Sequence, residues 1–560
     1  MSTQKLRLND FKITFIILSL LVFNWSKTNA QTTIGLTLNS PGATLNGYIL
    51  FAPMTSTNTF LIDKCGKLVK TWPSIYRPGL SSYLMNDGTL LRAGSTNNPN
   101  YNAGGRGGVI QKIDWNGNAT WSYTISDSLK CQHHDVKELP NGNVLVIAWE
   151  VKTSAVAIAN GRNPSLTTAK VWSEQIFEIQ PVGSNGGNIV WEWHLWDHLV
   201  QDFDSTKANY GSVSSNPQLV NLNYNALATV ADWIHMNSID YNPTLDQILV
   251  SSHALNEIWI IDHSTTTAQA ASHSGGNASN GGDILYRWGN TKSYNAGTTQ
   301  QFYGQHNAHW IEPGFPYENQ IMVFNNGSGR VGGNYSTIEI INPPLNGYNY
   351  TATLPYFPAN TSWIYNAGNP NNLYAQNISG AQLLSSGNVI YTHGPSGVFT
   401  EIDSSGNKLW NYVNPVNSLG AMTQGVIPST NSVFRCNYYP DNFSGFTGHT
   451  LMADTSIENT NVISDSCGLT TSILVNNVSP EFILYPNPAS DIIQLQFANP
   501  LNEKGNVVIY DICGRIVKKV EIDLNNNTIE VDIKNLNQGN YCLKLNGNSY
   551  TYAKHFIVTR

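Results

Sequence analysis

Asn141-Gly-Asn-Val-Leu-Val-Ile147 joins a turn to an apolar run, and the same pattern recurs along the chain. The copies are Asp87-Gly-Thr-Leu-Leu-Arg92, Asp246-Gln-Ile-Leu-Val-Ser251, Asn319-Gln-Ile-Met-Val-Phe324, Gly387-Asn-Val-Ile-Tyr391 and Asn431-Ser-Val-Phe-Arg435. A second signature alternates with it: a strand ending near Ile-Asp, a Gly turn, then often a Trp-bearing strand. Leu61-Ile-Asp-Lys-Cys-Gly66 running to Trp72, Ile113-Asp-Trp-Asn-Gly117 running to Trp121 and Ile402-Asp-Ser-Ser-Gly406 running to Trp410 are its clear forms. Weaker forms start at Phe177, Ile260 and Ile338, so each signature occurs six times. Apolar runs bounded by Gly/Asn turns are hairpin chemistry. A supersecondary unit repeated six times predicts an all-β chain built as a six-bladed β-propeller. The chain opens on a lone second signature and closes the series on a lone first signature. Pairing the two would complete the sixth blade from N- and C-terminal strands and remove two sheet edges. A plain β-sandwich with decorations is the competing architecture.

The composition fits this reading. Charged residues make up 12% of the 560, about half the usual ~25% share, and Asn, Gly, Ser and Thr replace them. With 41% hydrophobic residues, 15 Trp and 27 Tyr, there is ample apolar surface for packed cores, which excludes long disorder. Net charge is −7 with no basic cluster, which disfavours nucleic acid or an anionic membrane as partner.

At the N-terminus, Lys5, Arg7 and Lys12 precede the apolar run Ile13 to Trp25 and the small-residue exit Thr28-Asn29-Ala30. This order reads as a secretory signal peptide, residues 1–30, and leaves no transmembrane segment in the mature chain. Outside the cytoplasm the six cysteines are free to pair. Cys65 and Cys436 fall in the two halves of the closing unit, and Cys513 and Cys542 share the terminal region, so these are the pairings their positions suggest. The repeats occupy residues 31–454, and a Ser/Asn/Thr-rich linker follows over 455–480. Residues 481–560 carry further alternating strands, enough for a small β-sandwich. With Tyr485-Pro486-Asn487-Pro488, Asp511, Gly514, Gly539, Tyr541 and a terminal strand at Lys554, this region resembles the C-terminal sorting domain of type IX secretion. The resemblance implies the type IX machinery as partner and a secreted or cell-surface location. A glycan-binding module is the alternative.

Three repeats carry histidines just ahead of the first signature: Gln132-His133-His134-Asp135, Trp233-Ile-His235-Met-Asn237 and Gly304-Gln-His306-Asn-Ala-His309. The corresponding stretches of the other three repeats, Tyr76 to Gly79, Ser379 to Gln382 and Met422 to Gly425, have none. If repeat position maps to ring position, these histidines approach one central channel from neighbouring blades. A purely structural turn histidine would recur in most repeats. No HxH or HExxH spacing supports a metal and no GxSxG supports a serine hydrolase, so the reading assigns no metal and no cofactor.

The same segments, with Ile258-Trp-Ile-Ile-Asp-His263, Asp283-Ile-Leu-Tyr-Arg-Trp-Gly289 and Gly397-Val-Phe-Thr-Glu-Ile-Asp403, resemble the bacterial arylsulfotransferases in order over about residues 40 to 450. That resemblance implies a transferase moving a sulfuryl group from an aryl sulfate to a phenolic acceptor, without a nucleotide, through a sulfo-histidine. Carried over by position, His306 is the nucleophile, His235 the acid/base and His134 or His133 an oxygen ligand, while Asn237, Arg287 and His309 lie among the substrate-binding candidates. Where the family pattern places Arg after Ser-Ser, this chain has Ser251-Ser252-His253. If His253 supplies the clamp, activity leans towards acid or depends on another cation such as Arg287. Trp233, Tyr303 and Trp310 are positioned either to stack a phenyl ring or to pack the blades. A non-catalytic propeller that binds a ligand, glycan or surface partner is the reading from another class, and a sulfate-ester hydrolase lies between the two.

Overall fold

The computed structural model describes residues 32–351, 353–367, 372–453, 455–459, 482–497, 504–511, 515–546 and 551–560. The expected signal peptide and most of the expected linker lie outside them. The chain is all-β, consistent with a β-propeller-like fold. It divides into two compact units, Met1–Leu469 and Thr470–Arg560.

Among the described residues, the first unit contains six antiparallel sheets of four or five strands. The first sheet runs Pro78–Leu84, Leu90–Ser95, Gly108–Ile113, Ala119–Thr124, and the second Lys130–Glu138, Val144–Thr153, Lys170–Val182, Gly186–His194. The third runs Met236–Asn242, Gln247–Ser252, Glu257–Asp262, Ile284–Trp288, and the fourth His306–Trp310, Ile321–Asn325, Thr337–Ile341, Trp363–Tyr365. In the fifth, Gly380–Leu383, Val389–His393, Val398–Ile402 and Lys408–Val413 are joined by an extra edge strand, Gly35–Asn39. The sixth takes both ends of the unit: Val433–Pro440 pairs with Gly47–Pro53, followed by Thr59–Asp63 and Leu68–Trp72. In five of the repeats the first signature forms a second strand, and in all six the second signature forms a third. Their apolar residues are buried nearly without exception, because both faces of each sheet are covered.

One assignment changes. Asn431-Ser-Val-Phe-Arg435 reads as a first signature, yet its strand takes the leading place in the sixth sheet, and Gly47–Pro53 takes the second. The segment to compare with the histidine stretches is therefore Val433 to Arg435 and not Met422 to Gly425, so Arg435 stands where three other repeats carry histidine.

The six leading strands touch in cyclic order and return to the start. A hydrogen bond marks every step. Tyr83 Oη donates to Asp135 Oδ1 (2.7 Å), the Ile239 amide to Asp135 Oδ2 (3.2 Å) and the Ala308 amide to Ser238 Oγ (3.0 Å). The Ala381 amide then donates to Asn307 Oδ1 (3.0 Å), the Tyr438 amide to Gln382 Oε1 (2.9 Å) and Asn437 Nδ2 to the Ser82 carbonyl (2.8 Å).

Four of these strands also share a bulge. Pairing slips by one or two residues within or beside a left-handed position at Leu80, His134, His235 and Asn307. A bulge turns a side chain out of the pleat's alternation, and a non-glycine residue in that conformation costs about 1–3 kcal/mol. Sheets two to four use it to aim imidazoles.

The disulfide expectations are not met. Cys436 and Cys542 are free thiols, while Cys65 is in a disulfide; Cys513 lies outside the described residues. Cys436 sits instead in an apolar cluster with Phe51 and Phe399, where its Sγ accepts from the Thr392 hydroxyl (3.1 Å). Burial raises its thiol to about 12, so it behaves as a small apolar residue.

In the second unit, one sheet holds Phe482–Tyr485, Ile492–Phe497 and Thr528–Asp532. The other holds Ile516–Asp523, Lys504–Asp511, Gly539–Asn546 and Thr551–Val558. Alternate residues such as Ile493, Leu495, Val507, Ile509, Leu543 and Leu545 form one apolar cluster between them.

Candidate active site

The leading strands of sheets two to four, with the residue that follows the second strand of sheet three, bring five histidines into one run. His133 Nδ1 lies 2.9 Å from His134 Nδ1. The rings of His134 and His235 are 4.5 Å apart, those of His235 and His253 5.2 Å, and those of His253 and His306 5.2 Å. Phe434, next to Arg435, borders both His134 and His306. His134 and His306 are each 2% exposed. His235 and His253 face a cavity of about 400 Å³ whose walls include Asn102, Trp172, Ala231 and Asp232.

Four of the five imidazoles, those of His133, His134, His235 and His306, have a hydrogen-bond partner. Asn326 donates both its Nδ2 hydrogens to backbone, to the Ala375 carbonyl (2.8 Å) and the Ile378 carbonyl (2.9 Å). Its Oδ1 must therefore be the atom facing His306 Nδ1 at 2.7 Å. An amide oxygen only accepts, so Nδ1 carries the hydrogen and the neutral ring keeps its lone pair on Nε2. The Gly304 carbonyl, 3.1 Å from Nδ1, makes the same demand. Burial pushes His306 down to about 3, so the ring is neutral at any ordinary pH.

His235 is set the opposite way. Burial disfavours its charge, but the Asp232 carboxylate, bonded to its Nδ1, outweighs this and raises it above the ordinary imidazole value. Asp232 is in turn held by Trp149 Nε1 at 3.0 Å. With Nδ1–H on the carboxylate, Nε2 carries the exchangeable proton. Behind His134, His133 stacks on Trp149 and bonds Glu174 through Nε2 (2.8 Å). The other Glu174 oxygen accepts the Met236 amide (2.9 Å), tying sheets two and three. Burial, then the neighbouring imidazoles, hold His134 well below the ordinary value, and the same causes act on His253. The departure at position 253 thus leaves a neutral donor, and the positive charge of the group rests on His235.

Other candidates lie elsewhere. Arg287 places its N–H groups on Glu257, Ser293 and the Pro217 and Leu219 carbonyls, so its hydrogens are already committed to protein acceptors. Asn237 Nδ2 donates to the Gln305 carbonyl (2.7 Å), which clamps the His306 segment. His309 lines a separate cavity of about 140 Å³ with Lys137, Asp240 and Arg435. Trp233 and Trp310 belong to the apolar cores, and Tyr303 stacks against Arg330. Trp172 is the aromatic side chain of the cavity wall. Glu174, Asp232, Asn326 and Arg435 went unread in the sequence. Glu174, Asn326 and Arg435 sit on other strands or loops than the histidines, while Asp232 lies three residues before His235, a spacing that was readable; the signal for Arg435 was hidden by the misplaced repeat.

Comparison with known proteins follows the same line. The chain is similar to the solved structure of a protein of unknown function from Bacteroides caccae at 12% identity, covering 66% of this chain and 95% of that one with a TM-score of 0.37. For streptogramin B lyase the values are 9%, 73%, 95% and 0.34. For hydrazine synthase of Kuenenia stuttgartiensis they are 10%, 69%, 80% and 0.32. Likeness at this level carries no functional argument. No curated protein matches. A secretion system C-terminal sorting domain matches residues 483–559, which marks the chain for secretion or display at the cell surface. Among the described residues no helix is long and apolar enough to cross a membrane. The model of the arylsulfotransferase family matches residues 43–432, a span that contains the whole histidine run, and the chain belongs to that family.

Proposed function

We propose that the protein is a secreted aryl-sulfate sulfotransferase working through a sulfo-histidine at His306, on a six-bladed propeller spanning residues 31–454. On this reading residues 1–30 are removed as a signal peptide, and 455–480 link the propeller to the sorting domain at 481–560. The cyclic lacing of the leading strands supports the ring. The observation that carries the mechanism is the tautomer forced on His306 by Asn326, which leaves an Nε2 lone pair inside a group of imidazoles.

The steps follow from these protonation states. His306 Nε2 attacks sulfur as the S–O bond to the aryl group breaks, and His235 Nε2–H protonates the departing phenolate. A phenol then enters, neutral His235 takes its proton, and its oxygen attacks the sulfur of the sulfo-histidine, restoring His306. His134 and His253 contribute neutral hydrogen-bonding groups towards the sulfuryl oxygens, where preorganised dipoles stabilise developing charge. The burial of His306 and His134 keeps bulk water from the sulfur, which favours transfer over hydrolysis.

The test is release of phenol from an aryl sulfate by the mature protein, with and without a second phenol, from pH 5 to 9. Acceptor-stimulated release is the expected result. His306 is already neutral across this range, so no acid limb arises from it. His235 is protonated below its raised value, so donor cleavage declines as pH rises through that value. Release indifferent to acceptor would indicate a hydrolase, and no release at any pH would indicate a binding protein.

Gly105 provides a second check. It has φ +79° and its carbonyl accepts the His134 amide (2.8 Å), and a Cβ there would sit 1.9 Å from the His134 ring. Gly105→Ala therefore displaces the imidazole or lifts the loop. A displacement of about 1 Å is expected to lower kcat/KM by about 10²-fold. An unchanged kcat/KM would remove His134 from the reaction.

A further inference from the structure

Three metal-ligand side chains meet at the outer part of sheets two and three. His198 follows the last strand of the second sheet, and His273 and Asp283 bracket the glycine-rich stretch before Ile284–Trp288. His198 Nδ1 and His273 Nδ1 lie 2.8 and 2.7 Å from the same oxygen, Asp283 Oδ1. One ligand atom from each residue lies within 4.8 Å of the others. His198 and Asp283 are buried, while the His273 side chain is 61% exposed, so one side of the cluster is open to water.

Proton accounting makes the arrangement informative. His198 Nε2 is 2.8 Å from the Ala270 carbonyl, which can only accept, so Nε2 carries hydrogen. With the hydrogen on Nε2, the Nδ1 lone pair faces the same carboxylate oxygen as His273 Nδ1, so two imidazole nitrogens and one carboxylate oxygen converge where a cation could be held. An N–H fixed on a backbone carbonyl opposite the ligating nitrogen is also the usual outer-shell support of a metal-bound histidine. Trp193 holds the ring from one face, stacked at 4° with centroids 5.5 Å apart, while its own Nε1 donates to the Gly282 carbonyl (2.8 Å).

We propose that His198, His273 and Asp283 bind Zn²⁺ through Nδ1, Nδ1 and Oδ1, with water as the fourth ligand. Two nitrogens and one carboxylate suit zinc and exclude a calcium or magnesium cage, which asks for oxygens. Zinc–ligand bonds of about 2.0 Å need donors about 3.3 Å apart in a tetrahedron. The carboxylate therefore withdraws by about half an ångström on binding, and the exposed His273 ring turns with it. The ion pins residues 263–283 to the second sheet, a structural role independent of the sulfotransfer reading. The ligands are spread over residues 198 to 283, a spacing no metal motif describes.

The test uses the mature full chain stripped with chelator and titrated with Zn²⁺. One ion per chain is expected, with a zinc-dependent rise in Tm, and Co²⁺ in its place should give the visible absorption of a four-coordinate site. His273→Ala removes an exposed ring and keeps the fold. It should weaken binding about 100-fold or more and abolish the Tm response, while His306→Ala keeps both. Absence of zinc binding in the native chain would overturn the proposal. So would equal binding by His273→Ala, since that would place the metal on the histidines of the active site.

Discussion

His306→Ala is expected to lower turnover of an aryl sulfate about 10³-fold or more, with the sulfuryl adduct lost from the protein. A nucleophile removed from a covalent route leaves only binding and electrostatic terms. The fold should survive, because the change leaves two buried acceptors, Asn326 Oδ1 and the Gly304 carbonyl, without the one donor they share, at a cost of about 1–3 kcal/mol each. The informative readings are intact-mass measurement of the trapped intermediate and kcat with saturating acceptor. An adduct that persists in His306→Ala would move the nucleophile to another imidazole. His253 would then be the first to examine, since it shares the cavity wall with His235.

Arg435→Met is expected to be the most destabilising single change in the first unit, by about 3–5 kcal/mol. Arg435 and Asp135 form an ion pair of 2.8 Å with side chains 5% and 1% exposed. Asp135 also accepts from Tyr83, the Val136 amide and the Ile239 amide, so one carboxylate joins the leading strands of sheets one, two, three and six. Removing the guanidinium leaves that charge buried without its counter-ion. The double variant Arg435→Met with Asp135→Asn should lose less than Arg435→Met alone, since the penalty lies mainly in the uncompensated charge. Denaturant unfolding of the three chains measures this. A loss below about 1 kcal/mol for Arg435→Met would mean that water or a rotated side chain replaces the pair.

Much of this was legible before any coordinates, for a physical reason. Hairpin strands with Gly/Asn turns are local features, so Asn141 to Ile147 and its relatives are recognisable one at a time, and their recurrence makes the order of sheets readable. The histidine segments were readable because repetition converts position in a unit into position in space. What failed was non-local. Val433–Pro440 looks like a second strand by its own residues and becomes a leading strand only because Gly47–Pro53, from the far end, takes the place beside it. Asn326 and Glu174 are common residue types on other segments, and their roles exist only once hydrogen-bond geometry is fixed; the exception is Asp232, three residues before His235, a local partner that went unread. Arg287 was the converse error: a scarce cation near the pattern, whose donors serve Glu257 and backbone carbonyls inside the third sheet.

The sixth sheet also bears on export. Its leading strand, Val433–Pro440, comes from the far side of five intervening sheets, so closing it requires the largest loop in the unit and comes late in folding. Until then Gly47–Pro53 and the first and fifth sheets keep unpaired neighbours, the kind of edge that recruits stray strands. The sorting domain begins downstream of that closing strand. A chain that stops short during synthesis therefore lacks both the closure and the address. Every chain long enough to carry the address also carries the strand that completes its sixth sheet.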